Sequence, residues 1–169
     1  MPKPAAVVNL AQLRYKQRGD GGKFQFQHAR LGDQLGLEKL GLGVFVVPPG
    51  HSAFPYHAHS SLDELCIILE GEGCLRQNGV EQPIRSGDVI GAACGVAHQI
   101  INRSQQDLRY LVISNQAEVD VVHYPDSDKI LAVSGAFEKP LWHITRRADN
   151  TDYYAGESDP DPSADQPPG

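Results

Sequence analysis

The chain has 169 residues, 40% of them hydrophobic and 21% charged, with a formal net charge of −6. This composition is typical of a folded globular protein and excludes a disordered or fibrous one, and the length suits one domain with a real core. The acidic balance also argues against a surface that follows nucleic-acid phosphates, which requires clustered Lys and Arg.

The first 22 residues are predicted to form an N-terminal arm. They mix apolar and basic residues and end in the flexible run Gly19-Asp20-Gly21-Gly22. The apolar stretch at the start is too brief for a signal-peptide core, and eighteen consecutive apolar residues occur nowhere. Cys66, Cys74 and Cys94 are an odd number in no metal-knuckle spacing, which fits reduced thiols. We therefore expect a cytoplasmic protein.

Residues 23–145 are predicted to form one all-β domain. The 17 glycines and 12 prolines divide this part into short segments with β-strand patterns. Asn78-Gly79 between two extended runs is a strong hairpin signal, and no long apolar period of 3.6 is present. The predicted strands are 24–28, 40–47, 64–70, 74–77, 82–85, 88–93, 97–102 and 108–114.

Residues 146–169 are predicted to be a polar, flexible tail. The segment after Glu157 holds no apolar residue larger than alanine or proline. Such a composition cannot bury enough apolar surface to offset the entropy cost of ordering. Deleting it is expected to leave folding and metal content intact.

Three histidines and one glutamate are spaced as in a mononuclear metal site. His57 and His59 are two apart, so on an extended strand both side chains project from one face. Glu64 opens the next apolar strand, and His98 lies near the start of a later one. Three imidazoles and one carboxylate suit Fe(II), Mn(II), Ni(II), Cu(II) or Zn(II) rather than calcium. The pattern predicts one divalent transition-metal ion with open coordination positions.

Other titratable residues have more ordinary interpretations. Asp63 is an alternative ligand to its neighbour Glu64, although an extended strand would point it to the opposite face. A single histidine in a β protein is more often a surface or satisfied core residue than a ligand. That interpretation applies to the remaining four histidines, His28, His51, His123 and His143.

Around these ligands the sequence resembles the cupin superfamily over both of its signature motifs. The first is Gly50-HSAFPY-His57-Ala-His59-SSLD-Glu64-LCIILE-Gly71, and the second is Gly87-DVIGA-Ala93-Cys-Gly95-VA-His98-QII-Asn102. The spacer before His57 is one residue longer than usual, and Ala93 stands where proline is usual. All four ligand positions carry the expected residue types, so the resemblance assigns metal binding to His57, His59, Glu64 and His98.

The resemblance implies a double-stranded β-helix, or jelly roll, with the metal inside one end of the barrel. Short antiparallel strands with tight turns agree with a closed or double-sheet form. Within the superfamily, the chain is similar to small bacterial cupins labelled sugar-phosphate-isomerase-like or mannose-6-phosphate-isomerase-like, through Leu69–Gly73, Val96–Asn102, Tyr124–Lys129 and Arg147–Glu157. Cupins of this kind commonly pair barrels, and the apolar segment Ala5–Leu10 needs burial, so a homodimer is expected.

Three functions are compatible with this ligand set: a metal-dependent isomerase acting on a sugar or sugar phosphate, an Fe(II)-dependent dioxygenase, and a non-catalytic binding or sensing module. A small polar ligand is expected in each. The sequence identifies no general base, although Tyr110 and His51 lie near the ligand strands. A phosphate group would need a cation, for which the core strands offer Arg76, Arg85, Arg103 and Arg109.

Overall fold

The computed structural model of the protein describes residues 6–135 and 141–157. The predicted tail beyond Glu157 therefore lies outside the described residues. Within the described ranges, the longest helical element is Gly32–Leu35, and none of the helices has the length and apolarity needed to span a bilayer.

Thirteen strands form within residues 6–135 and 141–157, and this content confirms the all-β prediction. Most connections are tight turns, because glycine or asparagine supplies the left-handed backbone that such turns need. At the hairpin of β6 and β7, Asn78 and Gly79 both have positive φ, 49° and 80°, as a two-residue hairpin turn requires. The strands are β1 (Lys16–Gly19), β2 (Gln25–Arg30), β3 (Leu40–Val47), β4 (Ala58–His59), β5 (Glu64–Glu70), β6 (Glu72–Gln77), β7 (Val80–Arg85), β8 (Val89–Ala92), β9 (His98–Ile101), β10 (Leu108–Asn115), β11 (Val119–Tyr124), β12 (Lys129–Ser134) and β13 (Leu141–Arg146).

The strands form three antiparallel sheets. A six-stranded sheet has the order β1-β2-β3-β10-β5-β8, a four-stranded sheet has the order β13-β12-β11-β4, and a three-stranded sheet has the order β7-β6-β9. Non-consecutive neighbours, such as β3 beside β10, are the long-range pairings expected of a jelly roll. The eight predicted strands correspond to β2, β3 and β5–β10.

Four strands were not predicted, namely β1, which lies within the segment expected to be an arm, and β11, β12 and β13; β4 is the extended segment expected at His57 and His59. β13 ends at Arg146, one residue beyond the predicted end of the barrel domain. The boundaries at residues 22 and 145 remain predictions.

The hydrophobic core fills the space between the six-stranded and three-stranded sheets. Ile68 on β5 and Leu108 on β10 are almost completely buried, and they belong to the same cluster as Leu75 on β6 and Ile100 on β9. This packing fills one end of the barrel. The other end, between the six-stranded and four-stranded sheets, is left for a cavity.

Candidate metal centre

The four predicted ligands come from three neighbouring segments at the open end of the barrel. His57 and His98 face each other as a bridge pair, with His57 N donating to His98 O at 3.1 Å and His98 N donating to His57 O at 2.8 Å. His59 ends β4, and Glu64 begins β5. The backbone pairing therefore brings His98 next to the His-x-His segment despite its distance in the sequence.

The side chains of the three histidines point toward one oxygen of Glu64. Its Oε2 atom lies 2.9 Å from His98 Nε2, 3.8 Å from His59 Nε2 and 4.0 Å from His57 Nε2. The possible ligand atoms of His57, Glu64 and His98 all lie within 4.8 Å of one another. Bonds of about 2.1 Å to one ion place neighbouring donor atoms about 3 to 4 Å apart. The spacing of these three residues therefore fits a single transition-metal ion, while His59 lies outside the group with its Nε2 atom 3.8 Å from Glu64 Oε2.

Each histidine is oriented by a hydrogen bond at its other ring nitrogen. His57 Nδ1 lies 2.8 Å from Pro55 O, and His98 Nδ1 lies 3.1 Å from Val96 O. His59 Nδ1 lies 2.5 Å from Asp120 Oδ2. Because these partners are acceptors, Nδ1 donates, and Nε2 is the ring atom that faces the centre; His98 Nε2 is itself hydrogen-bonded to Glu64 Oε2 there. Such outer contacts fix the orientation of metal ligands in proteins.

Asp120 is the functional residue that the sequence did not reveal. Its side chain is almost fully buried on β11, where Oδ1 accepts from Ser60 N at 3.1 Å and from Ser61 N at 3.0 Å. Its Oδ2 accepts from His59. Asp120 therefore ties the loop after β4 to β11 and sets the His59 ring, acting as a positioning residue.

Burial and hydrogen bonding prepare the centre for a cation. Burial, with a smaller contribution from His98, lowers the pKa of His57 to about 4, so its imidazole is neutral near pH 7. Burial opposes ionisation of Glu64, but the hydrogen bond from His98 and the neighbouring histidines hold its pKa below the usual value. Burial likewise opposes protonation of His98, yet its bonds to Glu64 and Val96 raise its pKa. A carboxylate with imidazoles is a donor set suited to a divalent ion, and the proton that His98 shares with Glu64 would have to leave for an ion to bind there.

Asp63, the alternative ligand, is directed elsewhere. Its exposed carboxylate accepts from Cys94 N at 2.8 Å, and its own backbone N–H donates to Asn115 Oδ1 at 2.7 Å. The alternation of side chains expected for an extended strand thus holds at this position.

The remaining histidines separate into two groups. His51, His123 and His143 lie outside the cavity lining. His28 lies in the cavity wall, where its half-buried ring stacks on Phe45 with the ring centres 4.3 Å apart. It is not part of the group that could hold a metal, and β2 places its ring in the cavity wall, a location that the sequence did not predict. Of the two residues considered as a base, Tyr110 lines the cavity and His51 does not.

The centre opens into a cavity of about 660 Å³. All four predicted ligands line it together with residues of β2, β3, β10, β11 and β12. This volume is within the range of small-molecule sites. The metal site and the space for a ligand are therefore one continuous feature.

Sequence and structural relatives establish the family. Residues 43–114 match the Cupin domain family. The oxalate-binding protein of Thermotoga maritima is 31% identical over 96 residues, which cover 57% of this chain and 78% of that protein. The chain belongs to the cupin superfamily.

Solved structures place the chain near the group that the sequence indicated. A provisionally assigned sugar phosphate isomerase of Acidithiobacillus ferrooxidans has a TM-score of 0.77 at 27% identity, covering 86% of this chain and 95% of that one. A cupin-superfamily sugar phosphate isomerase of Silicibacter pomeroyi has a TM-score of 0.74 at 22% identity, covering 85% and 94%. The resemblance to the sugar-phosphate-isomerase-like cupins is thereby confirmed, and the second likeness supports the fold alone.

Proposed function

We propose that this protein binds one divalent transition-metal ion through His57, His59, Glu64 and His98, and uses it to hold a small molecule in the adjoining cavity. One observation carries the proposal. Three imidazoles, each fixed by a hydrogen bond at Nδ1, direct their Nε2 atoms toward the same glutamate oxygen in the wall of a cavity. A surface cluster of histidines would have no reason to be oriented in this way.

Binding of a small molecule to the ion, in addition to the four protein ligands, requires an ion that accepts more than four ligands. Fe, Mn, Ni and Zn all bind imidazole and carboxylate, but a tetrahedral Zn site would be completed by the four protein ligands. Ions with five or six positions would leave the remainder facing the cavity. A bound ion of this kind supplies Lewis-acid polarisation of an oxygen atom on the ligand. We therefore expect Fe, Mn or Ni to support ligand binding better than Zn.

Isomerisation of a sugar or sugar phosphate is the enzymatic candidate that the structural relatives suggest. The reaction needs a proton acceptor in the cavity, and His28 is suited to that role. Burial, and to a lesser degree Arg30, lowers the pKa of His28, so its ring is neutral near pH 7 and can accept a proton. Burial raises the pKa of Tyr110 well above its usual value, so this phenol keeps its proton and is not suited to act as the base.

The experiment that tests the proposal begins with anaerobic purification and elemental analysis. Oxygen uptake and sugar-phosphate turnover are then measured on the same sample. One equivalent of metal supports the proposed centre. Oxygen uptake in the iron form alone would favour a dioxygenase, and turnover without oxygen in the manganese or zinc form would favour an isomerase. Bound metal without turnover would favour a binding module. A chain that takes up no metal would contradict the proposal.

A homodimer and a cytoplasmic location also remain proposals. Leu65, Ile67 and Val89 lie on the outer face of paired strands β5 and β8, and Val89 is 64% exposed. Such an apolar surface favours pairing with a second copy. A monomer at micromolar concentration in light scattering would contradict the dimer. The three cysteines are unpaired, which agrees with a reducing compartment.

A further inference from the structure

Much of the cavity wall beyond the proposed metal centre is apolar, although Arg30, Asp33 and Asn115 are also part of the lining. Leu42, Phe45 and Val112 line it from β3 and β10, Leu131 lines it from β12, and Phe54 and Trp142 complete this set. We call these six residues the apolar wall. Phe54, on the connection between β3 and β4, lines the cavity and is 41% exposed, which indicates open space in front of its ring. Apolar surface of this kind is stabilised by contact with an apolar ligand.

Two glycines on β3 create the room for such a ligand. A Cβ atom at Gly43 would lie 2.6 Å from His28 Nε2, and one at Gly41 would lie 2.6 Å from Ser114 Oγ. Both glycines line the cavity, on the same strand face as Phe45. Larger residues at these positions would fill part of the space. The size of the cavity therefore depends on glycine at these two positions of β3.

The charges that a phosphate group would need lie elsewhere. Arg30 is the only lysine or arginine among the described residues that line the cavity, and its 70% exposed side chain pairs with Asp33 at 3.4 Å. The four arginines that the sequence offered for phosphate binding are absent from the lining. Three of them make ion pairs, Arg76 with Asp126, Arg103 with Glu81 and Arg109 with Glu70.

The charges of the proposed metal centre also disfavour a phosphate ligand. Glu64 and Asp120 contribute two carboxylates, which match the two positive charges of a divalent ion. A doubly charged phosphate would bring further negative charge beside Glu64 and Asp120, and Arg30, the single lysine or arginine among the described lining residues, is already paired with Asp33. A neutral or singly charged head group avoids that penalty.

We infer that the ligand of this site has an apolar body of about the size of an aromatic ring, joined to a neutral or singly charged head that binds the metal through oxygen. This inference rests on the proposed metal centre. It identifies the ligand as an amphipathic molecule, such as an aromatic hydroxy acid, rather than a sugar phosphate. The head contacts the metal and the body contacts the apolar wall.

The test compares ligands that share one head group. Protein loaded with Mn(II), with its metal content measured, is titrated calorimetrically with glycolate, mandelate and mannose 6-phosphate. Glycolate and mandelate carry the same hydroxy-acid head, and only mandelate carries a phenyl ring. We expect mandelate to bind at least about tenfold more tightly than glycolate. Mannose 6-phosphate should bind more weakly than mandelate. Equal binding of the two hydroxy acids, or tightest binding of mannose 6-phosphate, would overturn the inference.

A pair of variants locates the preference. Phe54→Ala should remove most of the advantage of mandelate, lowering its affinity more than that of glycolate, because the phenyl ring loses a contact that glycolate does not make. Val80→Ala is the control, since Val80 is 67% exposed and lies outside the cavity lining. Loss of the mandelate advantage in Val80→Ala alone would overturn the inference. Failure of the wild-type protein to hold one metal would instead contradict the proposed function, so the two failures are distinguishable.

Discussion

The proposed metal centre and the apolar wall share one cavity but are held together in different ways. In the centre, each imidazole has a hydrogen-bond partner and a set direction. The apolar wall depends on shape, since its aromatic rings contact one another through faces and edges, as Phe45 does with Phe54 and Tyr110. Directional bonds fail when one atom changes, whereas apolar packing adjusts to small changes in volume. Variants in the two regions should therefore affect different measurements.

The largest effect is expected from removing a metal ligand. His57→Ala, His59→Ala, Glu64→Ala and His98→Ala should each weaken metal binding by at least about 100-fold, because even outer partners of ligands cost about 10 to 100-fold. Because metal binds the native state, each variant should also lose the thermal stabilisation that metal gives to the wild type, about 2.7 kcal/mol at a metal concentration 100 times its dissociation constant. Elemental analysis and melting curves with and without metal measure both effects.

Three variants serve as controls for the ligand series. Asp63→Ala, His123→Ala and His143→Ala should keep their metal, because none of these side chains faces the centre. If Asp63→Ala lost metal and Glu64→Ala kept it, the assignment would be shifted by one residue. Normal metal content in all four ligand variants would disprove the cupin-type site.

A smaller loss is expected from Asp120→Asn. The amide keeps the shape of the side chain but cannot accept all the hydrogen bonds of the carboxylate, so the His59 ring loses its fixed direction. Metal affinity should fall by about 10 to 100-fold, with the same stoichiometry at saturating metal. Asp126→Asn is a matched control, since its partner Arg76 lies outside the cavity lining. Equal affinities in both variants would show that Asp120 does not position His59.

In the apolar wall region, Gly43→Ala should alter ligand binding and leave metal binding intact. The added methyl group collides with the His28 ring, which must move toward the cavity. We expect the free energy of unfolding to fall by about 1 kcal/mol and mandelate to bind less tightly to the metal-loaded protein. Gly91→Ala is the control, because no neighbouring atom lies within 4 Å of the new methyl group. Metal loss in Gly43→Ala would mean that the two regions are not separable.

The smallest expected effect is a difference in the rate at which the three cysteine thiols are chemically modified. Cys94 is exposed, whereas Cys66 in the cavity wall is 4% exposed and Cys74 is 8% exposed. A water-soluble disulfide reagent should modify one thiol rapidly in the native protein and all three in denaturant. Rapid modification of Cys66 would show that the cavity opens widely enough to admit the reagent beside Glu64.

The sequence predicted those strands in which the apolar residues are also the buried ones. β3 and β5 have the predicted bounds, because their apolar runs end at a proline or a glycine. β11 was missed for a physical reason. Its inward positions are Asp120 and Val122, and its outward positions, Val119 and Val121, are also apolar, so alternation gives no contrast between the faces.

The same distinction applies to the site. The segment from His57 to Glu64 places three of the four candidate ligands close together in sequence, and their residue types alone indicate metal chemistry. Asp120 lies 61 residues from the histidine that it orients, and only the pairing of β11 with β4 brings the two together. The cavity depends on glycines of β3 facing residues of β2 and β10, a relation that no short sequence pattern contains.

The fluorescence of Trp142 can report whether this cavity is occupied. It is the single tryptophan of the chain, it belongs to the apolar wall, and its side chain is 68% exposed. Indole emission shifts to shorter wavelength when water is replaced by apolar surroundings, so an occupant of the cavity changes the signal from one defined position. Compound collections can then be screened by intrinsic fluorescence without labelling, and metal-loaded and metal-free protein can be compared in the same plate.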